Sequence, residues 1–270
     1  MKCYPIILSI AGSDCSGGAG IQADIKTISA LGGYAASAIT AITIQNTLGV
    51  QAVHTLPSEI VNKQIEAVMD DLQPNTIKIG MVDDTSIVHV IVDCIKKYNP
   101  QNIVYDPVMV STSGRHLITE DAILEIKKEL FPLVSLITPN LDEVAVLTGK
   151  TLHTQNEMTK AARELSELYN TSILIKGGHL SGDEMCDILH TLDGNTYIFK
   201  EKKIRSKNLH GTGCTLSSAI ATYLAKKYPM NEAVRLSKEY INNAITAGKE
   251  LNIGHGNGPL WHFADQTALK

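Results

Sequence analysis

The sequence predicts an α/β fold in which helices cover both faces of a mainly parallel sheet. From residue 6 to residue 176, short apolar runs alternate with longer segments of helical spacing, as in chains of βαβ units. The strand-like runs are predominantly apolar, which is typical of strands buried on both faces. The last third is helical after one predicted hairpin, and no low-complexity linker interrupts the chain.

Each predicted element rests on its periodicity. The predicted strands are short runs rich in β-branched residues, at 6–11, 34–44, 76–80, 102–105, 135–138 and 171–176. The predicted helices place apolar residues three and four positions apart, at 19–31, 57–72, 85–98, 120–130, 140–147, 156–169, 213–226 and 231–251. Two further β-like runs, 186–191 and 196–199, flank Asp193-Gly194-Asn195, and Asp-Gly in that position predicts a hairpin.

The composition argues against several classes of protein. With 44% hydrophobic residues the chain can fill a core, and its net charge of −4 does not provide the basic surface of a general nucleic-acid binder. No apolar run approaches the ~18 residues that span a bilayer, and the first residues lack the cleavage site of a signal peptide. Five scattered cysteines without a CxxC pair predict neither disulfides nor zinc. We expect one cytoplasmic domain, residues 1–270, with no nucleic-acid or membrane partner.

A glycine-rich loop, residues 12–20, follows the first predicted strand. Its spacing differs from the dinucleotide fingerprint, and it lacks the lysine of a P-loop. So many glycines cost folding entropy, which is explained if the backbone approaches a ligand closely; a flexible turn is the alternative. One helical turn further on, Asp24 is placed either to face that ligand or simply to favour the helix dipole.

A second glycine-rich loop, residues 208–215, opens a predicted helix. The free N–H groups of residues 211–214 lie at the positive end of that helix, which suits a phosphate or a developing negative charge. The same field lowers the pKa of a thiol, so Cys214 is a candidate reactive group, with a small buried hydrophobe as the alternative. The remaining cysteines are given no chemical role: Cys3, Cys15, Cys94 and Cys186.

Polar residues also follow three later strands. Asp106 ends one strand, and the run from Asn140 to Glu143 follows the next and starts a helix. Carboxylates at adjacent strand ends suit a magnesium ion held largely through water, although each could be a helix cap or a turn residue. Lys176 leaves a further strand and could reach a polyphosphate. Together with the glycine loops, this combination favours phosphoryl transfer.

The motifs resemble those of the hydroxymethylpyrimidine/phosphomethylpyrimidine kinases of thiamine biosynthesis, in the ribokinase superfamily. The matching segments occur in order along nearly the whole chain: AGSDCSGGAGIQADIKT (11–27), ITAITIQNTLGVQ (39–51), KIGM (78–81), DPVMVSTSG (106–114), LITPNLDEV (136–144), IKGGH (175–179), HGTGCT (210–215) and GHGNGP (254–259). The resemblance implies a three-layer α/β/α ribokinase-like fold with a mainly parallel central sheet, usually as a homodimer. It implies ATP and Mg²⁺ as cofactors, and 4-amino-5-hydroxymethyl-2-methylpyrimidine and its monophosphate as successive substrates.

The resemblance also implies substrate-binding roles. Gln45 would read the nitrogen edge of the pyrimidine, since a carboxamide offers a donor and an acceptor together. Asp24 would hold the ring amino group or the hydroxyl. Three residues would line the pyrimidine pocket: Gly12, Met81 and Val108.

Roles in phosphoryl transfer carry over in the same way. Asp106 and Glu143 would hold magnesium largely through water, and Asn140 matches a magnesium and phosphate position. Lys176 would contact the ATP phosphates. The anion hole would comprise residues Gly211, Thr212 and Gly213.

Cys214 stands where most of the superfamily has an aspartate base, as in the pyrimidine-kinase branch. We therefore expect a thiolate-like Cys214 that accepts the hydroxyl proton. Cys-containing pyridoxal kinases of the same superfamily are the main alternative, although a pyridine ring does not need the donor and acceptor of Gln45. Acyl transfer by Cys214 with His210 and a non-enzymatic nucleotide-binding regulator are less compatible with the acidic, lysine and glycine positions. Residues 110–116 are expected to close over the substrate.

Overall fold

The structure, a computed structural model, describes residues 4–109, 118–178 and 184–264. The predicted closing loop, residues 110–116, lies outside the described residues, as does Cys3. The strands are β1 (Ile6–Asp14), β2 (Tyr34–Asn46), β3 (Gly49–Thr55), β4 (Thr76–Ile79), β5 (Asn102–Tyr105), β6 (Leu136–Ile137), β7 (Ser172–Ile175), β8 (Glu184–His190) and β9 (Thr196–Lys202). The helices are α1 (Gly20–Ala30), α2 (Ser58–Asp71), α3 (Thr85–Tyr98), α4 (Glu120–Glu125), α5 (Leu141–Thr148), α6 (Gln155–Tyr169), α7 (Thr212–Ala225) and α8 (Met230–Gly248).

Within these residues, the nine strands form one sheet in the order β3-β2-β1-β4-β5-β6-β7-β8-β9. The six strands from β2 to β7 in this order are parallel to one another. The pairs β2–β3, β7–β8 and β8–β9 are antiparallel. The mainly parallel sheet is therefore confirmed. The predicted hairpin is the β8–β9 pair, in which Thr191 N–H donates to Asn195 O at 2.9 Å and Gly194 adopts a φ of 88°.

Two hydrophobic cores lie on opposite faces of the sheet. One packs α2, α3, α5 and α6 against alternate residues of the central strands, including Ile10, Ile79 and Ile137. The other packs α7 and α8 against the opposite residues, including Ile7 and Val104. Because the side chains of a strand alternate between faces, each central strand contributes to both cores. This arrangement confirms the three-layer α/β/α fold.

Local sequence signals set several helix ends. Asp84 caps α3 by accepting from Ser86 N–H at 2.8 Å, and Asn99 ends that helix in the left-handed conformation. Thr154 and Glu157 form a capping box at the start of α6, where the cap satisfies N–H groups that have no partner in the helix.

Two elements differ from the sequence prediction. The predicted helix 120–130 is α-helical only to Glu125, then continues as a π-helical turn, Ile126–Leu130, and a 3-10 turn, Phe131–Leu133. Strand β3 was not predicted. It is a half-exposed edge strand, so its alternation is weak, and residues 46–49 carry no strong hairpin signal.

The chain order places a ligand site near β1. From β1 the chain first forms β2 and β3 on one side and then crosses to β4 on the other. Ligands of open α/β sheets bind beyond the carboxyl ends of the strands at such a reversal. The residues that follow β1, β2, β4, β5, β6 and β7 are therefore brought to one edge.

Candidate active site

The loop after β1 is organised by the carboxylate of Asp14, which is almost completely buried. One oxygen accepts from the N–H of Ser16 at 2.8 Å and from its hydroxyl at 2.7 Å. The other accepts from the N–H groups of Gly18 at 3.1 Å and Ala19 at 2.8 Å. Burial by itself raises the pKa of Asp14, but hydrogen bonds from His210 and from the loop outweigh it and lower the pKa to about 2.

The two glycine-rich loops pack directly against each other. A Cβ at Gly18 would lie 2.2 Å from the His210 ring. Gly211 has a φ of 83°, and a Cβ there would lie 1.8 Å from Gly18 O. Only glycine permits this approach and this backbone conformation. The two motifs, which are far apart in sequence, form one structure.

Gln45, at the end of β2, joins the same structure and is half-buried. Its Nε2 lies 2.9 Å from Nε2 of His210, which is itself 2.9 Å from Oδ2 of Asp14. The donor and acceptor roles at this shared nitrogen depend on the tautomer of the ring. The backbone of Gln45 is held by Cys15, whose thiol donates to Gln45 O at 3.1 Å. The carboxamide therefore lies beside the start of α7. A single bound substrate that contacts both the carboxamide and this helix end would require such a position.

The predicted pocket residues partly converge. A Cβ at Gly12 would lie 3.5 Å from Sδ of Met81, so these two residues are in contact. Met81 is buried, and its carbonyl accepts from the hydroxyl of Thr40 at 2.8 Å. Val108 is half-buried after β5, with its N–H donating to Asp106 O at 2.8 Å.

Asp106 and Lys176 form an ion pair next to the start of α7. Nζ of Lys176 lies 2.8 Å from Oδ1 of Asp106, which also accepts from the hydroxyl of Thr138 at 3.0 Å. A Cβ at Gly213 would lie 3.2 Å from Oδ2 of Asp106 and 3.4 Å from Nζ of Lys176. The predicted phosphate and metal residues thus surround the first turn of α7, where backbone N–H groups favour anions.

Opposing effects act on the pKa of Asp106. Burial raises the pKa, but the positive charges of Lys176 and Lys78 outweigh burial and lower it. Asp106 is therefore ionised at neutral pH.

Asn140 and Glu143 form a capping box at the start of α5. The N–H of Asn140 donates to Oε2 of Glu143 at 2.7 Å, and the N–H of Glu143 donates to the Asn140 carboxamide at 2.9 Å. Burial raises the pKa of Glu143 to about 7, against the opposing charge of Lys176. Backbone hydrogen bonding also joins Lys176 N–H to Pro139 O at 2.8 Å, so this cap borders a residue predicted to contact phosphate.

A comparison with known proteins identifies the fold family. A family model described as phosphomethylpyrimidine kinase matches residues 14–261. The chain belongs to the phosphomethylpyrimidine kinase family. It is 48% identical to a hydroxymethylpyrimidine/phosphomethylpyrimidine kinase of Rhizobium meliloti over 96% of this chain and 97% of that protein.

Solved structures agree with this assignment. A phosphomethylpyrimidine kinase from Clostridium difficile is 48% identical, with a TM-score of 0.79 over 89% of this chain and 99% of its own. A pyridoxal kinase from Staphylococcus aureus in complex with ADP is 31% identical, with a TM-score of 0.90 over 99% of this chain and 96% of its own. The family resemblance and the ribokinase-like fold predicted from the sequence are confirmed.

The pKa of Cys214 differs from the sequence prediction. Its thiol is half-buried in the first turn of α7. Burial raises its pKa to about 11; the charge of Lys78 and a hydrogen bond from Gly20 N–H oppose this, while Asp24 and Asp106 add to it. The expectation of a lowered pKa is therefore wrong. The thiol is protonated at neutral pH because loss of solvation outweighs the neighbouring positive groups.

The proposed pairing of Cys214 with His210 for acyl transfer is not supported. Nε2 of His210 is shared between Asp14 and Gln45. The imidazole thus joins the first glycine-rich loop, through Asp14, to the end of β2, through Gln45.

Asp24 is also placed differently from its expected role. The carboxylate is completely buried and accepts from the hydroxyls of Ser9 at 2.6 Å and Ser218 at 2.7 Å. Nζ of Lys78 lies 2.9 Å from Oδ2 and 3.0 Å from Oδ1. Both oxygens are thus occupied by protein groups, and the predicted contact of this side chain with the substrate is corrected to a supporting role behind Cys214.

Sequence patterns assigned no role in phosphoryl transfer to three residues of the site, and His210 was considered only for acyl transfer. Lys78 lies inside a strand, where an isolated lysine gives no signal of burial. Asp14 and His210 lie in the quoted motifs, but their pairing spans nearly the whole chain. The glycines around them were the only available signal, since they imply a close approach of backbone without naming its partner.

Across 4–109, 118–178 and 184–264, no group of three or more His, Cys, Asp or Glu side chains is arranged to hold a metal ion by itself. No helix in those ranges has the length and apolar character needed to cross a membrane.

The pairing of Asp14 predicts a pH-dependent stability. Because its pKa is lowered to about 2 by folding, ionised Asp14 stabilises the protein fully above pH ~4, and this stabilisation is lost as the pH falls towards 2. Asp14→Asn should reduce the free energy of unfolding by about 2 kcal/mol at pH 7. The deficit should shrink steadily towards pH 3 in urea unfolding experiments.

The control is Asp71→Asn, which changes an exposed carboxylate at the end of α2. It should have little effect at any pH. An Asp14→Asn deficit of the same size at pH 3 and pH 7 would show that ionisation of Asp14 does not stabilise the fold.

Proposed function

We propose that the protein transfers the terminal phosphoryl group of ATP to the hydroxymethyl group of 4-amino-5-hydroxymethyl-2-methylpyrimidine, and then phosphorylates the monophosphate to the diphosphate. The observation that carries this proposal is the 2.9 Å contact between Gln45 and His210, which puts a pyrimidine-reading carboxamide beside the anion-binding turn of α7. Membership of the phosphomethylpyrimidine kinase family supports the substrate class. The product would serve thiamine biosynthesis, as the family resemblance implies.

The proposed substrate contacts follow the two halves of the site. Gln45 would read the ring nitrogen and amino group, with Gly12, Met81 and Val108 around the ring. The half-buried carboxamide retains donor and acceptor atoms that a ring can share with His210. Asp24 would act indirectly, by holding Lys78 behind the reacting groups.

On the phosphate side, Lys176 and the N–H groups of Gly211, Thr212 and Gly213 would stabilise the charge of the transferring phosphoryl group. The hydroxyl oxygen of the substrate would bond to the terminal phosphorus as the bond to the ADP oxygen breaks. The hydroxyl proton would pass to Sγ of Cys214 in the small fraction of molecules in which this thiol is ionised. Since this thiol is largely protonated at neutral pH, preorganised charge stabilisation would supply the larger part of the rate.

The residues around Asp106 suit a hydrated magnesium ion. Asp106 and Glu143 are buried carboxylates beside Lys176, with the Asn140 carboxamide next to them. Oxygen donors of this kind are those that Mg²⁺ prefers when it keeps several waters. Asp106 and Glu143 would hold the ion mostly through water. When bound there, Mg²⁺ would supply positive charge that offsets the charge of the ATP phosphates.

Phosphorylation of pyridoxal is the alternative activity. The 31% identity to a pyridoxal kinase with a TM-score of 0.90 supports it. Against it, a carboxamide aimed at the substrate is best used by an aminopyrimidine, which offers a complementary acceptor and donor.

The substrate prediction is tested by ADP release with each alcohol. We expect kcat/KM for the pyrimidine alcohol to exceed that for pyridoxal by at least about tenfold, since a polar group built to pair with one substrate is left unpaired by the other. Turnover should stop when magnesium is chelated and return when it is restored. A larger kcat/KM for pyridoxal would overturn the substrate assignment, and alcohol-independent ATP hydrolysis would indicate a different activity.

The role of Cys214 makes a separate prediction. Cys214→Ala should lower kcat by about 10²- to 10⁴-fold and leave the Kd of ATP nearly unchanged. Because the pKa of the thiol is raised to about 11, kcat of the unaltered enzyme should rise from pH 7 to pH 9. This rise should be lost in Cys214→Ala and retained in Cys94→Ala, which alters a core thiol of α3. Near-normal turnover of Cys214→Ala would show that Cys214 is not the catalytic base.

We also infer a cytoplasmic homodimer. The hairpin of β2 and β3, at the edge of the sheet, exposes three large apolar side chains: Ile42, Ile44 and Leu48. A second copy of the chain would remove them from water.

The molar mass in solution tests the homodimer. Light scattering should give twice the 29.2 kDa chain mass. Ile42→Asp should shift the mass to that of one chain, and Leu168→Asp, which alters a more exposed apolar residue on α6, should not. A monomeric unaltered protein would contradict the inference.

A further inference from the structure

The segment 254–258 binds the turn between β2 and β3 through one side chain. The hydroxyl of Thr47 accepts from the N–H groups of His255 at 3.2 Å and Gly256 at 3.1 Å. The carbonyl of Thr47 accepts from Asn257 N–H at 2.9 Å. Three consecutive N–H groups therefore converge on a single residue.

The glycines of this segment are required by the contact. Gly254 has a φ of 72°, and a Cβ there would lie 2.3 Å from Oγ1 of Thr47. A Cβ at Gly256 would lie 2.1 Å from the carbonyl oxygen of Thr47. A side chain at either position would push the segment away from the turn.

The other end of the segment binds the second glycine-rich loop. Gly258 O accepts from His210 N–H at 3.1 Å, and a Cβ at Gly258 would lie 2.3 Å from Oδ1 of Asn208. Nδ2 of Asn208 donates to the carbonyls of Gly248 and Leu251, each at 2.7 Å. The segment thus packs against a loop residue that is itself anchored to the end of α8.

The residues that the segment contacts, Thr47 and His210, both lie close to Gln45. Thr47 lies two residues beyond Gln45, and the ring of His210 contacts the Gln45 carboxamide. The ladder between β2 and β3 is irregular between Ile44 and Gln45, so strand pairing alone does not set the position of this residue.

We propose that residues 254–258 form a strap that sets the position of Gln45 against His210, and that Thr47 is a positioning residue for recognition of the pyrimidine ring. The inference rests on the proposed function. The strap contacts the pyrimidine side of the site, whereas Asp106 and Lys176 follow β5 and β7 and are held by each other. Loosening the strap at its Thr47 end therefore weakens pyrimidine binding and leaves ATP binding intact, because the contact of Gly258 with His210 N–H, next to the anion hole, is kept.

Substitutions at Thr47 test the strap. Thr47→Val removes the acceptor of two N–H groups and should raise KM for the pyrimidine alcohol by about tenfold, with KM for ATP changed by less than about twofold. Thr47→Ser keeps the hydroxyl and should behave as the unaltered enzyme. Gln45→Leu should show the same selective rise as Thr47→Val. Equal rises in both KM values, or a defect of Thr47→Ser equal to that of Thr47→Val, would overturn the proposal.

A matched pair of glycine variants separates the strap from backbone strain. Gly254 and Gly149 have φ values of 72° and 71°, but a Cβ at Gly149 would meet no atom within 4 Å. Gly254→Ala should raise KM for the pyrimidine alcohol selectively, while Gly149→Ala should not. Equal effects of the two variants would refute the strap. This pair also serves if Thr47→Val fails to fold.

A readout without substrate distinguishes failure of the strap from failure of the proposed function. The ¹⁵N chemical shift of His210 Nε2 should change in Thr47→Val and Gly254→Ala and stay constant in Thr47→Ser and Gly149→Ala. An unchanged shift in all four variants would overturn the strap. Absence of pyrimidine phosphorylation by the unaltered enzyme, with the shift changing as expected, would overturn the proposed function alone.

Discussion

The imidazole of His210 is shared between a carboxylate from the start of the chain and a carboxamide from the second strand. Asp14 and Gln45 each lie 2.9 Å from the same ring nitrogen. Asp14 also accepts the N–H groups of its own loop, so the conformation of that loop, the position of the second loop and the direction of the carboxamide are set together. The close packing of Gly18 on Gly211 depends on this contact, and with it the separation of the two halves of the site.

Around the start of α7, the pairing of lysine and aspartate side chains determines the charge of the site. Lys78 and Asp24 are completely buried together, and Asp106 is buried with Lys176. Removing one member of such a pair leaves an unpaired charge in a medium of low dielectric constant, which is strongly unfavourable. The same burial raises the pKa values of Cys214 and Glu143. The site therefore keeps the positive charges of two lysines close to Cys214 and Glu143. The protonation of these two groups depends on their burial and on the neighbouring charges.

Much of the fold followed from local sequence patterns. Alternating strand and helix signals predicted the parallel strands, because a strand buried on both faces is predominantly apolar. Strand β3 was missed because it is half-exposed and its turn is held by residues 254–257 rather than by a local turn sequence. Contact of Asp24 with the substrate was expected because helical spacing alone does not show what lies opposite a helix. In the structure, Ser9, Lys78 and Ser218 occupy its oxygens.

By itself, the sequence determined the layer architecture, the two close backbone approaches marked by glycine and the family, since these depend on residue type and order along the chain. The tertiary structure alone decided the partners of Asp14, Asp24 and His210 and the protonation of Cys214. The physical reason is that a hydrogen bond needs a specific partner within about 3 Å, and a pKa depends on the solvent and charges around the group. Both are properties of segments brought together by folding.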